Sequence, residues 1–207
     1  MPIITSIKSQ KRSGWFNVEV DGKFTAALSD VRLAAEGLVK GMELTDERLA
    51  SLIGESAKDR LWMRVLSFIS YRPRSRVEVE RWLVGKRVDK EKWEELFNRL
   101  NEEGWVDDLK FAKWWVEQRL AFRPKGRVAL RMELKQKGVG EDVVSEVLND
   151  LGSSESEGAR TVAEKWLRKG ADIGDKKMRD RLMAALTRRG YPWSVVREVI
   201  DGLKERG

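Results

Sequence analysis

The spacing of apolar residues along this chain changes after about its first thirty residues. Before that point apolar side chains alternate in short runs that predict strands, and Asp21-Gly22 is a two-residue hairpin signal. After it they recur at helical spacing. Ser29 or Asp30 can cap a first short helix, and Thr45 can cap a second one that we expect to end at Ile53. The pattern predicts a mainly α protein that begins with a small β-hairpin or sheet and short helices.

The helical part of the sequence contains an internal repeat. Residues 123–151 predict two helices joined by a turn, and the same pattern recurs without a gap 51 positions earlier and 52 positions later. The apolar positions coincide in the three copies, as at Leu83, Leu134 and Leu186. A further helical segment precedes each copy, so each repeat should hold three helices. Neighbouring repeats should stack to bury their apolar faces, and Leu134 should be buried there.

We predict four successive parts of the chain. They are an N-terminal hairpin with short helices over residues 1–56 and helical repeats over residues 57–106, 107–152 and 153–207.

Composition narrows the possible functions. The charged fraction is 36%, against about 25% in typical soluble proteins, which suits an elongated array or a heat-adapted protein. The chain has neither cysteine nor histidine, which excludes disulfides, thiolate nucleophiles and cysteine-ligated zinc, and removes the commonest general base. No apolar run approaches the roughly 18 residues that span a bilayer. We expect a cytoplasmic monomer that binds no membrane.

The net charge of +7 is concentrated in the second helix of each repeat. Residues 72–87, 123–137 and 176–189 each carry six basic side chains and at most two acidic ones, whereas the third helices carry an acidic excess. Cations at the ends of these helices suit the helix dipole, but cations at their starts oppose it by about 0.3 to 1 kcal/mol each. We therefore predict that an anionic partner binds nine cations, which we call the basic stripe. They are Arg72, Arg74, Arg76, Arg123, Lys125, Arg127, Lys176, Lys177 and Arg179.

The tryptophans are mostly expected in the core. Trp114 is different. Successive residues of a helix point about 100° apart around its axis, so Trp114 points away from the core-facing side of its neighbour Trp115. It is a candidate contact residue for the partner, or else fills a junction between repeats. The tryptophans expected in the core fall on or beside apolar faces; they are Trp62, Trp82, Trp93, Trp115 and Trp166.

An enzymatic site has one candidate. Asp107, Asp108 and Lys110 superficially resemble the acids and lysine of metal-dependent nucleases. An Asp pair directly before an apolar helix is more simply a helix cap, and no second acidic cluster or phosphate-binding glycine loop accompanies it. We predict a protein that is not an enzyme and uses no metal or cofactor.

Four segments of the helical part resemble a known family. They are RPRSRVEVERWLVGK (72–86), GWVDDLKFAKWWVEQRL (104–120), PKGRVALRMELKQKGV (124–139) and LTRRGYPWSVVREVI (186–200). Together they resemble the RecX family of bacterial recombination regulators over roughly residues 57–205. The matching family motifs are Arg74, Ser75 and Glu78, then Asp107, Asp108, Phe111 and Ala112, then Glu133, Leu134, Lys137 and Gly138. Val79 stands where the family has leucine, and the first copy's turn reads Lys86-Arg87, without glycine.

The resemblance implies a curved array of three three-helix repeats that binds the RecA recombinase. RecX-like proteins lodge in the groove of the RecA filament on single-stranded DNA and suppress its extension and ATP hydrolysis. Such a protein would modulate recombination, DNA repair and the SOS response, and would reach DNA through the filament or by weak direct contact. The basic stripe and Trp114 would form the binding face. The alternative is a free-standing, sequence-independent DNA-binding protein, although its charge is spread over three repeats rather than one recognition helix.

A charge reversal would separate folding from binding. Changing Arg123, Lys125 and Arg127 to Glu is expected to leave folding intact, because acidic residues suit a helix start, while weakening binding to an anionic groove.

Overall fold

The computed structural model describes residues 1–11, 14–152, 154–168, 170 and 172–205. These residues form three strands and ten α-helices, which confirms the mainly α class with an N-terminal sheet. The chain divides into two compact units, Met1–Tyr71 and Arg72–Gly207. Within the described ranges, no helix has the length and apolar character needed to cross a membrane.

The first unit begins with an antiparallel sheet of order β1-β2-β3. The strands are β1 (Ile4–Ser9), β2 (Trp15–Val20) and β3 (Lys23–Ser29). The turn between β2 and β3 is Asp21-Gly22, with φ of 50° and 77°. Two successive positive φ angles are those of the hairpin turn that Asp-Gly favours, so this prediction is confirmed.

Two helices follow the sheet, α1 (Asp30–Ala35) and α2 (Asp46–Ile69). Thr45 caps α2 as predicted, and of the two candidates for α1 it is Ser29 that forms the cap, while Asp30 is the first helical residue; each cap accepts a backbone N–H three residues ahead. The predicted end at Ile53 is wrong, because α2 continues for 24 residues. A glycine such as Gly54 costs a helix only about 1 kcal/mol. The buried Ser56 hydroxyl offsets this, donating to the Ala27 carbonyl at 2.8 Å and so joining the middle of α2 to β3.

The second unit is entirely helical among its described residues. Its helices are α3 (Arg76–Gly85), α4 (Trp93–Glu102), α5 (Asp108–Phe122), α6 (Arg127–Gln136), α7 (Glu141–Asn149), α8 (Ser154–Leu167), α9 (Lys176–Arg188) and α10 (Trp193–Lys204). A 3-10 turn, Lys90–Lys92, leads into α4. Helices α5 to α7 enclose one apolar core, and α8 to α10 enclose another.

The aligned apolar positions of the repeats are buried. Leu83, Leu134 and Leu186, one from each copy, are each 0% exposed. Their helices therefore present the same face to their respective cores, as the register predicted. Leu134 lies in the core of α5 to α7, however, so its expected position at a junction between repeats is wrong.

The turn after each second helix needs a residue in the left-handed region. Gly138 and Gly190 adopt φ of 80° and 82° there. In the first copy the equivalent residue is Arg87, with φ of 55°. The turn is therefore kept without glycine, at a backbone cost of roughly 1 to 2 kcal/mol.

Within the second unit, the second helices of the first two repeats, α3 and α6, each contact the end of the second helix that follows. Ser75 donates its hydroxyl to the Lys137 carbonyl at 2.7 Å, joining the start of α3 to the end of α6. The Gly126 N–H likewise donates to the Arg189 carbonyl at 3.0 Å, joining the start of α6 to the end of α9. The contacts are close, since a Cβ on Gly138 would overlap Val77. The positive dipole end of one helix thus meets the negative end of the next.

The four-part division of the chain stays a prediction. Its boundary between residues 56 and 57 falls inside the continuous helix α2. Residue 153, where the predicted third repeat begins, and residues 206–207, where it ends, lie outside the described residues.

Candidate partner-binding surface

The first cluster of the basic stripe surrounds Glu78, whose side chain is only 9% exposed. Arg72 donates to both carboxylate oxygens, at 2.8 and 3.0 Å. Lys137, from the next repeat, donates at 2.5 Å, and Arg74 lies 3.9 Å away. Burial favours the protonated acid, but the hydrogen bonds from Arg72 and Lys137 outweigh it and lower the pKa of Glu78. Two stripe cations therefore face an internal anion.

Ser75 and Glu78 have the spacing of a capping box at the start of α3, but the Glu78 carboxylate does not complete it. The Ser75 hydroxyl accepts the Glu78 N–H at 3.2 Å, which is the expected half of that motif. The Glu78 carboxylate instead binds Arg72 and Lys137.

Arg76 has a more exposed position in the same cluster. Its side chain is 50% exposed and pairs with Glu80 at 3.0 Å on the helix surface. The guanidinium carbon lies 4.2 Å from the centre of the Phe97 ring. Such exposed pairs contribute little to stability, so Arg76 can exchange Glu80 for an external anion at small cost.

The second cluster surrounds Glu133. Its carboxylate accepts from Trp115 Nε1 at 2.8 Å, from Arg119 Nε at 2.7 Å and from Lys125 Nζ. Burial acts to raise the pKa of Glu133, but these three donors together lower it. Arg119 and Lys137 also lie over the Trp115 ring, 4.5 and 4.8 Å from its centre. Lys125 is therefore part of a network that holds α5 to α6.

The other two cations of this cluster differ, because Arg127 binds an internal carboxylate and Arg123 lies on the surface. Arg127 donates its backbone N–H at 2.7 Å and its side-chain Nε at 2.6 Å to Glu155, whose side chain is 4% exposed. Arg123 is exposed and follows α5 as its C-cap. No ion pair of Arg123 occurs among the described residues. Of the three central stripe cations, only Arg123 keeps its charge available to a partner.

The third cluster lies at the start of α9. Lys176 and Lys177 are exposed, and in the described part of the chain neither forms an ion pair. Arg179 is half-buried and donates to the Ile173 carbonyl at 3.3 Å. Both lysines therefore keep their charges available to a partner.

Trp114 and the Asp pair have structural surroundings. Trp114 is half-buried, packs against the core of α5 to α7 and lies 5.6 Å from the Arg72 guanidinium. Asp107 caps α5 by accepting the Lys110 N–H at 2.9 Å, which confirms the helix-cap interpretation. Asp108 accepts the Arg76 N–H at 2.9 Å, and burial raises the pKa of Asp108. Among the described residues, no group of acids is arranged to hold a metal.

These contacts revise one expectation from the sequence. The anion required beside the stripe is partly internal, supplied by Glu78, Glu133 and Glu155. Changing Arg123, Lys125 and Arg127 together to Glu would place new carboxylates beside Glu133 and Glu155. That variant is therefore expected to be destabilised rather than intact.

Sequence reasoning missed the three carboxylates that bind the stripe. In the sequence Glu78 and Glu133 stand out only as residues of the family motifs, and Glu155 has no signal of its own. Glu133 does carry a sequence signal, because it lies near the middle of a strongly basic helix. Its donor Arg119, however, lies on another helix, and no local pattern connects the two.

Profiles of the RecX family match both complete three-helix groups. The second three-helix domain of RecX matches residues 107–148, and the third matches residues 154–200. A crystal structure described as regulatory protein RecX has a TM-score of 0.73 and 25% identity, covering 97% of this chain and 100% of that one. RecX from Lactobacillus salivarius shares the fold, with a TM-score of 0.63 at 21% identity, over 71% of this chain and 96% of that one.

Curated relatives extend the match to nearly the whole sequence. Regulatory protein RecX of Leuconostoc mesenteroides is 28% identical over 205 residues, which cover 97% of this chain and 76% of that protein. Regulatory protein RecX of Bacillus subtilis is 30% identical over 207 residues, covering 99% of this chain and 78% of that protein. The agreement in sequence, in the two three-helix domains and in fold shows that this chain belongs to the RecX family of regulatory proteins.

Proposed function

We propose that this protein regulates the RecA recombinase by binding its filament on single-stranded DNA and inhibiting it. The observation that carries the proposal is the family match over nearly the whole chain. By this action the protein would modulate recombination, DNA repair and the SOS response. It would work as a cytoplasmic monomer, by occupying a surface rather than by catalysis.

The accessible part of the basic stripe supports an anionic docking surface. Arg76, Arg123, Lys176 and Lys177 are exposed. The clusters at the starts of α3 and α6 are separated by about one ten-residue helix, roughly 15 Å, because these helices meet end to end. Charges repeated at such a spacing suit an extended anionic groove better than a single small ligand. The half-buried members Arg72, Arg74, Lys125 and Arg179, with Arg127, would act mainly by shaping this surface, and Trp114 by supporting Arg72.

Titration into a RecA ATPase assay on single-stranded DNA tests the proposal. The parent protein should reduce ATP hydrolysis in a concentration-dependent manner. Lys176→Glu with Lys177→Glu should weaken this inhibition through repulsion from the groove, because steering and rim contacts depend on charge. Folding should be unharmed, since acidic residues suit the first turn of α9.

A matched variant controls for the change in net charge. Lys90→Glu with Lys110→Glu alters two exposed lysines outside the stripe and should inhibit as the parent does. A parent protein that binds DNA but leaves RecA ATP hydrolysis unchanged would contradict the proposal and favour the free-standing DNA-binding alternative.

A further inference from the structure

A second basic surface adjoins the predicted stripe and shares only Arg123 with it. In the second unit a cleft of about 480 Å³ is formed by the ends of α5 and α8 and by the turn between α9 and α10. Its size falls in the usual range for ligand sites. Its lining includes four cations and two aromatic rings, namely Arg123, Lys165, Arg168, Arg189, Phe122 and Trp166.

The cleft differs from the stripe in having no internal anion. Among the residues that the structure describes, no acidic side chain lines it. In the described ranges none of its four cations forms an ion pair, and Arg189 has only a long contact, 3.5 Å, to the Pro124 carbonyl. By contrast, Glu78 and Glu133 neutralise the cations around them. Unneutralised charges that converge in a concave site raise the local concentration of anions.

Helix dipoles alone do not account for this arrangement. The four cations lie near the C-terminal ends of α5, α8 and α9, where a dipole favours positive charge. Each helix end carries only about half a negative charge. Three such ends offset less than half of four full positive charges. The cleft therefore keeps a positive excess that an external anion can neutralise.

The aromatic residues indicate what kind of anion fits. Phe122 is 74% exposed although it is a large apolar side chain. Trp166 packs partly against the core of α8 to α10 while also lining the cleft. Aromatic faces beside basic groups are typical of sites that stack bases and hold phosphates. An acidic protein segment would use the charges but would leave Phe122 without a role.

We propose that this cleft binds a short segment of single-stranded nucleic acid. The cations hold the phosphates, while Phe122 and Trp166 contact an unpaired base. A single strand is required because base faces are stacked and inaccessible within a duplex. The inference goes beyond the proposed function, since this binding needs no recombinase.

The test measures binding of a fluorescent fifteen-nucleotide oligo(dT) by anisotropy, without RecA, over a range of salt concentrations. Lys165→Gln with Arg168→Gln should reduce the slope of log affinity against log salt by about 1.4, for two lost phosphate contacts on a single strand. At about 100 mM salt this corresponds to a loss of roughly 25-fold. Lys90→Gln with Lys110→Gln makes the same charge change elsewhere and should leave the slope unchanged.

A second variant tests the aromatic contact separately. Phe122→Ala should weaken oligo(dT) binding by about tenfold without changing the salt slope, because base stacking releases no counterions. Its exposure means that the fold should tolerate the change, which thermal unfolding would verify. A labelled fifteen-residue oligoglutamate is the comparison ligand that carries negative charge without bases, and it should bind more weakly than oligo(dT).

Three outcomes would overturn the inference. They are an unchanged salt slope in the Lys165 and Arg168 variant, undiminished oligo(dT) binding by Phe122→Ala, and equal affinity for oligoglutamate. The RecA ATPase assay on the same variants keeps the two proposals distinct. Normal DNA binding at the cleft together with no inhibition of RecA would contradict only the proposed function.

Discussion

The contrast between Arg123 and Arg127 offers a sharp test of how the central cluster of the stripe works. Both arginines are exposed and lie four residues apart, Arg123 at the end of α5 and Arg127 at the start of α6. Arg127 binds the buried carboxylate of Glu155, whereas Arg123 has no ion pair in the described part of the chain. Changing each to Met removes the charge but keeps most of the apolar stem.

The size of the effect follows from the contacts. Arg127→Met removes the 2.6 Å hydrogen bond from Nε, while the 2.7 Å backbone donor to Glu155 remains. A hydrogen bond to a charged group contributes about 1.5 to 3 kcal/mol. The Arg127 side chain is 44% exposed, so solvent screening favours the lower part of that range. We expect the free energy of unfolding to fall by about 2 kcal/mol.

Urea denaturation followed by tryptophan fluorescence measures this loss. Arg123→Met is the matched control and should change the free energy of unfolding by less than about 0.5 kcal/mol. Adding Glu155→Gln to Arg127→Met should cost less than the sum of the single changes, since the buried charge is then absent. An Arg127→Met variant as stable as the Arg123→Met variant would refute the assignment of Arg127 to structure.

Three further changes test other parts of the second unit. Glu133→Gln should lower stability at about pH 7 by roughly 1 to 3 kcal/mol. The pKa of Glu133 is lowered on folding, so the carboxylate stabilises the fold above its unfolded pKa, and this stabilisation is lost as pH falls through its folded pKa. Urea titrations should therefore show a smaller stability difference between Glu133→Gln and the parent at about pH 3. Gly138→Ala should lower the free energy of unfolding by at least about 1 to 2 kcal/mol, because the backbone there is left-handed. Adding Val77→Ala should restore only the part of the loss that comes from overlap between the new Cβ and Val77, and thermal unfolding of the double-mutant cycle would show this. Leu134→Ala should cost about 2 to 5 kcal/mol because the side chain is fully buried, and no loss in a denaturation curve would contradict that burial.

The accessible charges and the buried charges of the stripe have different consequences for function. Lys176 and Lys177 can be altered to probe binding with little effect on folding. Arg72 and Lys125 cannot, because each neutralises an internal carboxylate. Reduced RecA inhibition after a change at Arg72 or Lys125 would therefore have to be corrected for the fraction of folded protein before it could be attributed to contact with the filament.

Local chemistry determined much of the fold from the sequence alone. The Asp21-Gly22 turn depends on two adjacent residues that tolerate positive φ. The burial of Leu83, Leu134 and Leu186 depends on helical periodicity within ten residues or so. The left-handed turn depends on position as well as residue type, since Arg87 adopts it where the other repeats have glycine. Each of these features is a short-range property, which is why a repeat register could be predicted.

Tertiary structure alone decided which charges are available. Lys137 reaches Glu78 across 59 positions, and Arg127 reaches Glu155 across 28. The cleft lined by Arg123 and Lys165 exists only because three helix ends converge. The energy of a charge depends on its burial and on its nearest opposite charge. Both are set by packing between helices distant in sequence, so cations that look equivalent along the chain are structural in one place and free in another.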